Sequence, residues 1–252
     1  MNWTFKYNKI LEKIFKSGRT SDLEGNERVV NDMISIQEAS VLYKMFMASA
    51  AEHSIEIGLA HGVSALVFCQ AHKDLGQKNG IHYAVDPNQF TEYKGAAVKA
   101  VEDAGYEKYL KVLAGPTHLE LPELIKQGIK VECAFIDGWH TFDYTLIDFF
   151  LVDKILKPGG YIAFHDTYGR AKQKVINFIL SHRKYYIDEE LMKFSKEPMV
   201  RVLKFFIWRI FKDPMLLFSW YHWKYQTKTT SGLIILKKLE DFEPNYDFFK
   251  NF

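Results

Sequence analysis

The stretch His53-Ser54-Ile55-Glu56-Ile57-Gly58-Leu59-Ala60-His61-Gly62-Val63-Ser64 carries the most chemical information in this 252-residue chain. An apolar run ends there in small residues, and a helical pattern opens near Val63. Glycine lets the backbone approach a ligand closely, and a helix N-terminus presents unpaired N–H groups to it. Asp86, in Tyr83-Ala84-Val85-Asp86-Pro87, closes a second apolar run thirty positions after Glu56. A carboxylate at that point can accept hydrogen bonds from both hydroxyls of a ribose, and charge-assisted bonds of this kind are strong. Each feature also has a plain structural reading. The glycines suit a tight strand-to-helix turn, and Asp-Pro initiates turns.

Those residues need a scaffold that ends several strands at one edge. Short apolar runs at Ser54–Ile57, Ile81–Val85, Lys111–Ala114, Val131–Ile136 and Tyr161–Phe164 alternate with helical patterns at 63–73, 91–104, 118–127 and 142–156. Such alternation predicts an α/β fold, a parallel sheet with helices on both faces, whose ligands bind at the strand C-termini. Before it, residues 3–16 read as an amphipathic helix. Ser35-Ile36-Gln37-Glu38 reads as a capping box that opens a helix running to about Ser49. After it, a helix from Arg170 to about His182 and a strand at Gly232–Lys237 are expected, with 188–228 as an insertion.

Composition narrows the classes. Lys+Arg 33 against Asp+Glu 31 is too balanced for a surface devoted to nucleic acid. Cys69 and Cys133 have no zinc spacing and no disulfide framework, so buried reduced thiols are expected. The polar N-terminus has no signal-peptide core, and no run of about 20 apolar residues is present to span a bilayer. A cytoplasmic location, with a peripheral membrane contact left open, is the expectation.

The glycine turn lacks the G-x-G-x-x-G dinucleotide fingerprint, because Ala60 and Val63 stand at two of its glycine positions. No G-K-[ST] follows, so it is not a P-loop. The pattern is E-x-G-x-x-x-G-x-S, which resembles the first motif of class I S-adenosylmethionine-dependent methyltransferases. Further along, Ile136-Asp137-Gly138-Trp139-His140 and Leu156-Lys157-Pro158-Gly159-Gly160-Tyr161-Ile162-Ala163-Phe164-His165-Asp166 resemble the branch that includes macrocin- and mycinamicin-type sugar O-methyltransferases. The resemblance spans roughly 35–182 plus the strand near 231–238.

That resemblance implies a Rossmann-like three-layer sandwich with a seven-stranded, mostly parallel sheet. The whole of 1–252 would be one domain: a helical cap (1–50), a cofactor-binding core (51–187), an aromatic and basic insertion (188–228) and a last strand and tail (229–252). It implies S-adenosylmethionine bound by Glu56, Gly58, Ala60, Gly62, Ser64, Asp86, Gly115 and Thr117, with Glu56 near the ammonium group. It further implies Asp137 and Asp166 as ligands of a catalytic Mg2+, and His140 as general base. Magnesium takes oxygen ligands, and an imidazole with a pKa near 6.5 can accept a hydroxyl proton at neutral pH. The chain departs from the pattern at His165, where many relatives carry an acid. It departs also at Phe142, where Tyr is common, and at Gly115-Pro116-Thr117, where Gly-acid-Ser is usual. Asp137-Gly138-Trp139-His140 stands where nucleobase amino-methylases carry [D/N/S]-P-P-[Y/F/W], which favours transfer to oxygen. The expected activity is O-methylation of a small hydroxylated acceptor such as a sugar or glycan. The alternative is a non-catalytic adaptor that keeps the fold and binds a membrane or partner through residues 199–224.

Residues 199–224 hold Phe205, Phe206, Trp208, Phe211, Phe218, Trp220, Tyr221 and Trp223, with five basic residues against one acid, Asp213. At 100° per residue, Val200, Leu203, Phe206, Ile207, Ile210 and Phe211 share one face and Arg201, Trp208, Arg209 and Lys212 the other. Pro214 should end this helix. A lid or homo-oligomer contact, an interfacial membrane helix and a nucleic-acid contact all remain open.

Overall fold

The computed structural model describes residues 5–31, 33–193, 198–225 and 231–252. Its centre is a seven-stranded sheet made of β3 (His53–Ile57), β4 (Ile81–Val85), β5 (Leu110–Leu113), β6 (Val131–Ile136), β7 (Leu156–Phe164), β8 (Tyr185–Ile187) and β9 (Ile234–Lys238). The order across the sheet is β5-β4-β3-β6-β7-β9-β8. Neighbours pair in parallel except β9, which runs antiparallel to both β7 and β8. The predicted Rossmann-like sheet is therefore present. Its seventh strand, β8, falls just before the insertion, in a three-residue run too short to stand out in the sequence.

Helices α2 (Ile36–Ser49), α3 (Val63–Asp74) and α4 (Ala96–Asp103) cover one face. Helices α5 (Thr117–Lys126), α6 (Phe142–Ile155) and α7 (Arg170–His182) cover the other. The central strands are apolar on both sides because both sides are covered. β6 buries Val131, Cys133, Ala134, Phe135 and Ile136. α3 is hydrophobic nearly all round, since it lies between the sheet, α2 and α4.

The N-terminal cap corrects one expectation. It is not wholly helical: α1 (Lys9–Ser17) is followed by a two-stranded hairpin, β1 (Arg19–Ser21) and β2 (Glu27–Val29). Asp22 makes the hairpin turn, accepting from the N–H groups of Glu24 (3.0 Å) and Asn26 (2.9 Å) and pairing with Arg28. The tip then docks on the start of α4, where the Leu23 N–H donates to the Lys94 carbonyl at 3.2 Å. α2 opens with the predicted capping box, a device that stabilises a helix start by about 1 kcal/mol.

Beyond β8, α8 (Met199–Lys212) ends before Pro214 as expected, and α9 (Trp220–Tyr225) follows a short 3-10 turn. Residues 194–197 and 226–228 of the predicted insertion, and 229–230 of the predicted last strand and tail, lie outside the described residues. Among the described residues, no helix is long and apolar enough to cross a membrane. Both cysteines are buried thiols.

Candidate active site

The turn after β3 is built by two glycines with positive φ. Gly58 (φ +93°) passes so close to the Asp137 carbonyl that no Cβ fits between them. Gly62 (φ +81°) is the N-cap of α3, and a Cβ there would come within 2.6 Å of Ala97 Cβ. Close approach of backbone to backbone, rather than to a ligand alone, is thus what requires glycine at both positions.

Asp86 locks this turn. Its Oδ2 accepts from the N–H groups of Leu59 (3.1 Å) and Ala60 (2.8 Å), and its Oδ1 from that of Asn88 (2.8 Å). A carboxylate has about four acceptor sites, so about one is left for a ribose hydroxyl rather than enough for both. Asp86 still lines the large cavity, but its main observed work is to shape the turn.

Glu56 departs further from expectation. It is fully buried and does not line the cavity. One carboxylate oxygen accepts from Ser64 Oγ at 2.5 Å, and the other lies 3.1 Å from His82 Nε2. The physical reason is the strand's alternation: Glu56 points to the α3 side, where Ser64 and His82 supply the polar partners a buried charge needs. Gly115 is also absent from the cavity wall, because Glu120 folds against it. Gly58, Ala60, Gly62, Ser64, Asp86 and Thr117 do line a cavity of about 860 Å³. One wall residue gave no motif signal. Asp148 is buried among the apolar positions of α6, and burial lifts its carboxyl to about 6 despite a hydrogen bond from Thr117. An acid on the core stripe of a helix is the sequence cue that marks it.

At the other end of this cavity stand Asp137, His140 and Asp166. β7 ends at Phe164, and Asp166 takes a left-handed conformation (φ +51°). Strand alternation has stopped there, so His165 and Asp166 face the same site. His140 Nε2 is 3.5 Å from Asp166 Oδ2 and 3.8 Å from Asp137 Oδ1. Burial and the nearby Lys172 ammonium hold the His140 ring below its ordinary pKa, although Asp166 and Asp137 pull the other way. It is therefore neutral at pH 7 and able to accept a proton.

His165 is the centre of the cluster. Its Nδ1 lies 3.3 Å from Asp137 Oδ1 and 3.6 Å from Asp166 Oδ1, and its Nε2 lies 3.4 Å from Glu38 Oε1. These are ion pairs, with Nδ1 shared between two acids and making a well-formed hydrogen bond to neither. Burial opposes the charged ring, but the three carboxylates outweigh it and push its pKa up to about 12. In return, Glu38 and Asp166 are drawn down to about 2 against the cost of burial. Glu38 thus serves twice. Its Oε2 closes the capping box on the Ser35 N–H (2.8 Å), while Oε1 faces His165 and accepts from Ser231 Oγ (2.7 Å).

The acids do not suit the Mg2+ that the sequence pattern implied. Donor atoms of Asp137, His140 and Asp166 lie within 4.8 Å of one another. Magnesium is commonly held by one or two carboxylates and several waters, but here a protein cation already stands beside each carboxylate. Both already face His165, and Lys172 Nζ stands 3.8 Å from Asp137 Oδ1. The cationic positions around these acids are filled by side chains of the protein itself.

A second cavity, of about 640 Å³, opens on the far side of His140 and Asp166. Its wall is mixed, with Met33, Ile36 and Tyr168 beside Ser35, Gln37, Glu38, His165, Arg201 and Ser231.

Known proteins resemble the core of the chain. Residues 55–167 match the family model described as a methyltransferase domain. No curated protein matches the sequence. Solved structures share the fold. The O-methyltransferase TomG of Streptomyces achromogenes, involved in tomaymycin synthesis and solved with SAM, superposes with a TM-score of 0.59 at 15% identity, over 73% of this chain and 82% of that one. An O-methyltransferase from Bacillus cereus in complex with SAH gives 0.60 at 14%, over 73% and 84%. An SAH-bound methyltransferase of Podospora anserina gives 0.58 at 14%, over 73% and 84%. The matched segment runs from β3 through the end of β7, and so contains the glycine turn, Asp86, Asp137, His140 and Asp166.

Proposed function

We propose that the chain is an S-adenosylmethionine-dependent methyltransferase that O-methylates a small hydroxylated acceptor, a sugar or glycan. The observation that carries this reading is the pair of cavities meeting at His140 and Asp166. The large one fits the cofactor: a backbone turn without side-chain bulk, a hydroxyl and a carboxyl from Thr117 and Asp148 for an adenine edge, and remaining acceptor capacity on Asp86 for a ribose. Bound there, S-adenosylmethionine would supply an electrophilic methyl and its own leaving group.

The protein's own task is then to orient an acceptor hydroxyl and remove one proton. His140 is the base in this proposal. Asp166 faces Nε2 and favours the tautomer protonated there, which leaves Nδ1 free to accept the hydroxyl proton. Asp137 and Asp166 would stabilise the resulting imidazolium. Ser35, Gln37, Glu38, Arg201 and Ser231 in the second cavity offer hydrogen-bond partners to a hydroxyl-rich acceptor. Membership in the sugar O-methyltransferase branch and the single-domain organisation belong to the same proposal.

The test is formation of S-adenosylhomocysteine with a panel of sugars, nucleotide sugars and oligosaccharides, alongside catechols as controls. Turnover with a glycosyl hydroxyl and none with catechols supports the reading. Turnover with catechols alone overturns the acceptor class.

A further inference from the structure

α8 does not bury the face its sequence suggests. Among its residues only Val202 and Phe206 are buried, while half-buried Phe205 and Arg209 pack on Tyr168. Val200, Leu203, Ile207 and Phe211, four members of the predicted apolar stripe, point outward, with Phe211 83% exposed. The exposed apolar surface continues past the helix through Met215, Leu217 and Phe218, the last also 83% exposed. A contiguous apolar surface of this kind marks an interaction site.

The charges around the stripe indicate what covers it. At helical spacing, Lys204 lies within the outward face, and Trp208, Arg201 and Lys212 flank it on one side. The helix contains no acid. The acid that follows, Asp213, is engaged by Arg170 Nε at 2.7 Å. A two-fold pairing of two such helices would bring lysine against lysine, because a two-fold interface presents the same patch to itself. An anionic headgroup layer instead offers opposite charge to the lysines and an apolar interior to Phe211 and Leu203, with tryptophan at the boundary.

We propose that the outward face of α8 and the turn after it docks on an anionic lipid bilayer. The helix is only 14 residues long, so it lies in the interface and does not span it. This surface is independent of the methyl-transfer reading, since none of Leu203, Lys204, Ile207, Phe211 or Lys212 lines either cavity.

Flotation of the full chain with phosphatidylserine-containing vesicles, and with pure phosphatidylcholine vesicles, tests it. Binding is expected only to the anionic vesicles and should weaken as salt is raised. The double change Lys204→Ala/Lys212→Ala should lower the partition coefficient by about thirtyfold, and Leu203→Ser/Phe211→Ser by at least about tenfold. All four positions are exposed, so circular dichroism should be unchanged in both variants. Absence of binding to anionic vesicles overturns the proposal, as does binding that neither variant weakens. Light scattering provides the opposing outcome: a wild-type dimer that Leu203→Ser/Phe211→Ser converts to monomer would assign the surface to a second copy of the chain.

Discussion

Glu38 Oε1 lies 3.4 Å from His165 Nε2, so the residue that caps α2 also holds the imidazolium at the centre of the site. The N-terminal cap and the C-terminal edge of the sheet are coupled through one carboxylate. Glu38→Gln keeps an acceptor for the Ser35 N–H but removes the charge facing His165. Loss of one member of a buried ion pair costs about 3–5 kcal/mol. Asp137 and Asp166 remain, so a loss of about 2–3 kcal/mol in urea denaturation is expected, with Glu38→Ala about 1 kcal/mol worse through the lost cap. A Gln variant as stable as wild type would show that the pair does not contribute.

His140 is exposed enough to be replaced without disturbing the core, and it does not hold the glycine turn. His140→Ala should lower kcat by about 10²–10⁴, the usual worth of a general base, with S-adenosylmethionine affinity within about twofold. Turnover at the wild-type rate would remove His140 from the mechanism.

His165 and Lys172 occupy the cationic positions around Asp137 and Asp166. Chelation with EDTA should therefore leave activity unchanged, and calorimetry should detect no Mg2+ binding to the wild type. His165→Glu replaces the central cation with a third carboxylate and should create a measurable Mg2+ site. Activity that requires Mg2+ in the wild type would contradict this account.

His72 gives a pH dependence outside the site. It is buried between α3 and the sheet with Nε2 3.0 Å from Ser54 Oγ, and burial together with His82 and His53 depresses its pKa to about 3. Below about pH 6.5 the unfolded chain takes up a proton that the folded chain refuses, so stability falls as pH drops, by up to about 1.4 kcal/mol per pH unit. Asp148 acts with the opposite sign: burial raises its folded pKa to about 6, above the ordinary 3.8 of an aspartate, so its contribution is lost as pH rises through that window. The comparison with His72→Gln isolates the imidazole. Between about pH 6.5 and pH 5 the variant's stability should fall less steeply by up to one proton's slope, and an identical slope would refute the assignment.

The alternation of strands and helices was legible because each strand of a covered parallel sheet is a continuous apolar run, and the glycine turn because only glycine tolerates Gly58's contact with Asp137. The hairpin at Arg19–Val29 was not, since three-residue strands carry no periodicity and Leu23 finds its place only against α4. Spacing could put Glu56 and Asp86 at strand ends, but not say what they bond. Glu56 turned to His82, and Asp86 was used by its own turn. Periodicity marks an apolar stripe on α8 but not which side of the helix is buried: Val202, off the stripe, packs inward, while Val200, Leu203, Ile207 and Phe211, on it, do not. His165 stands out as a departure from the motif, but its ring of three acids needs Glu38, which is far away in sequence.

Calorimetric titration of S-adenosylmethionine into the full chain, with Asp86→Asn beside it, tests the central claim most directly. Asp86→Asn leaves one acceptor oxygen for the three N–H groups of Leu59, Ala60 and Asn88, so the turn should loosen. The account predicts micromolar binding to the wild type, weakened at least about tenfold in the variant. No heat of binding to a folded wild-type protein at millimolar cofactor would contradict it.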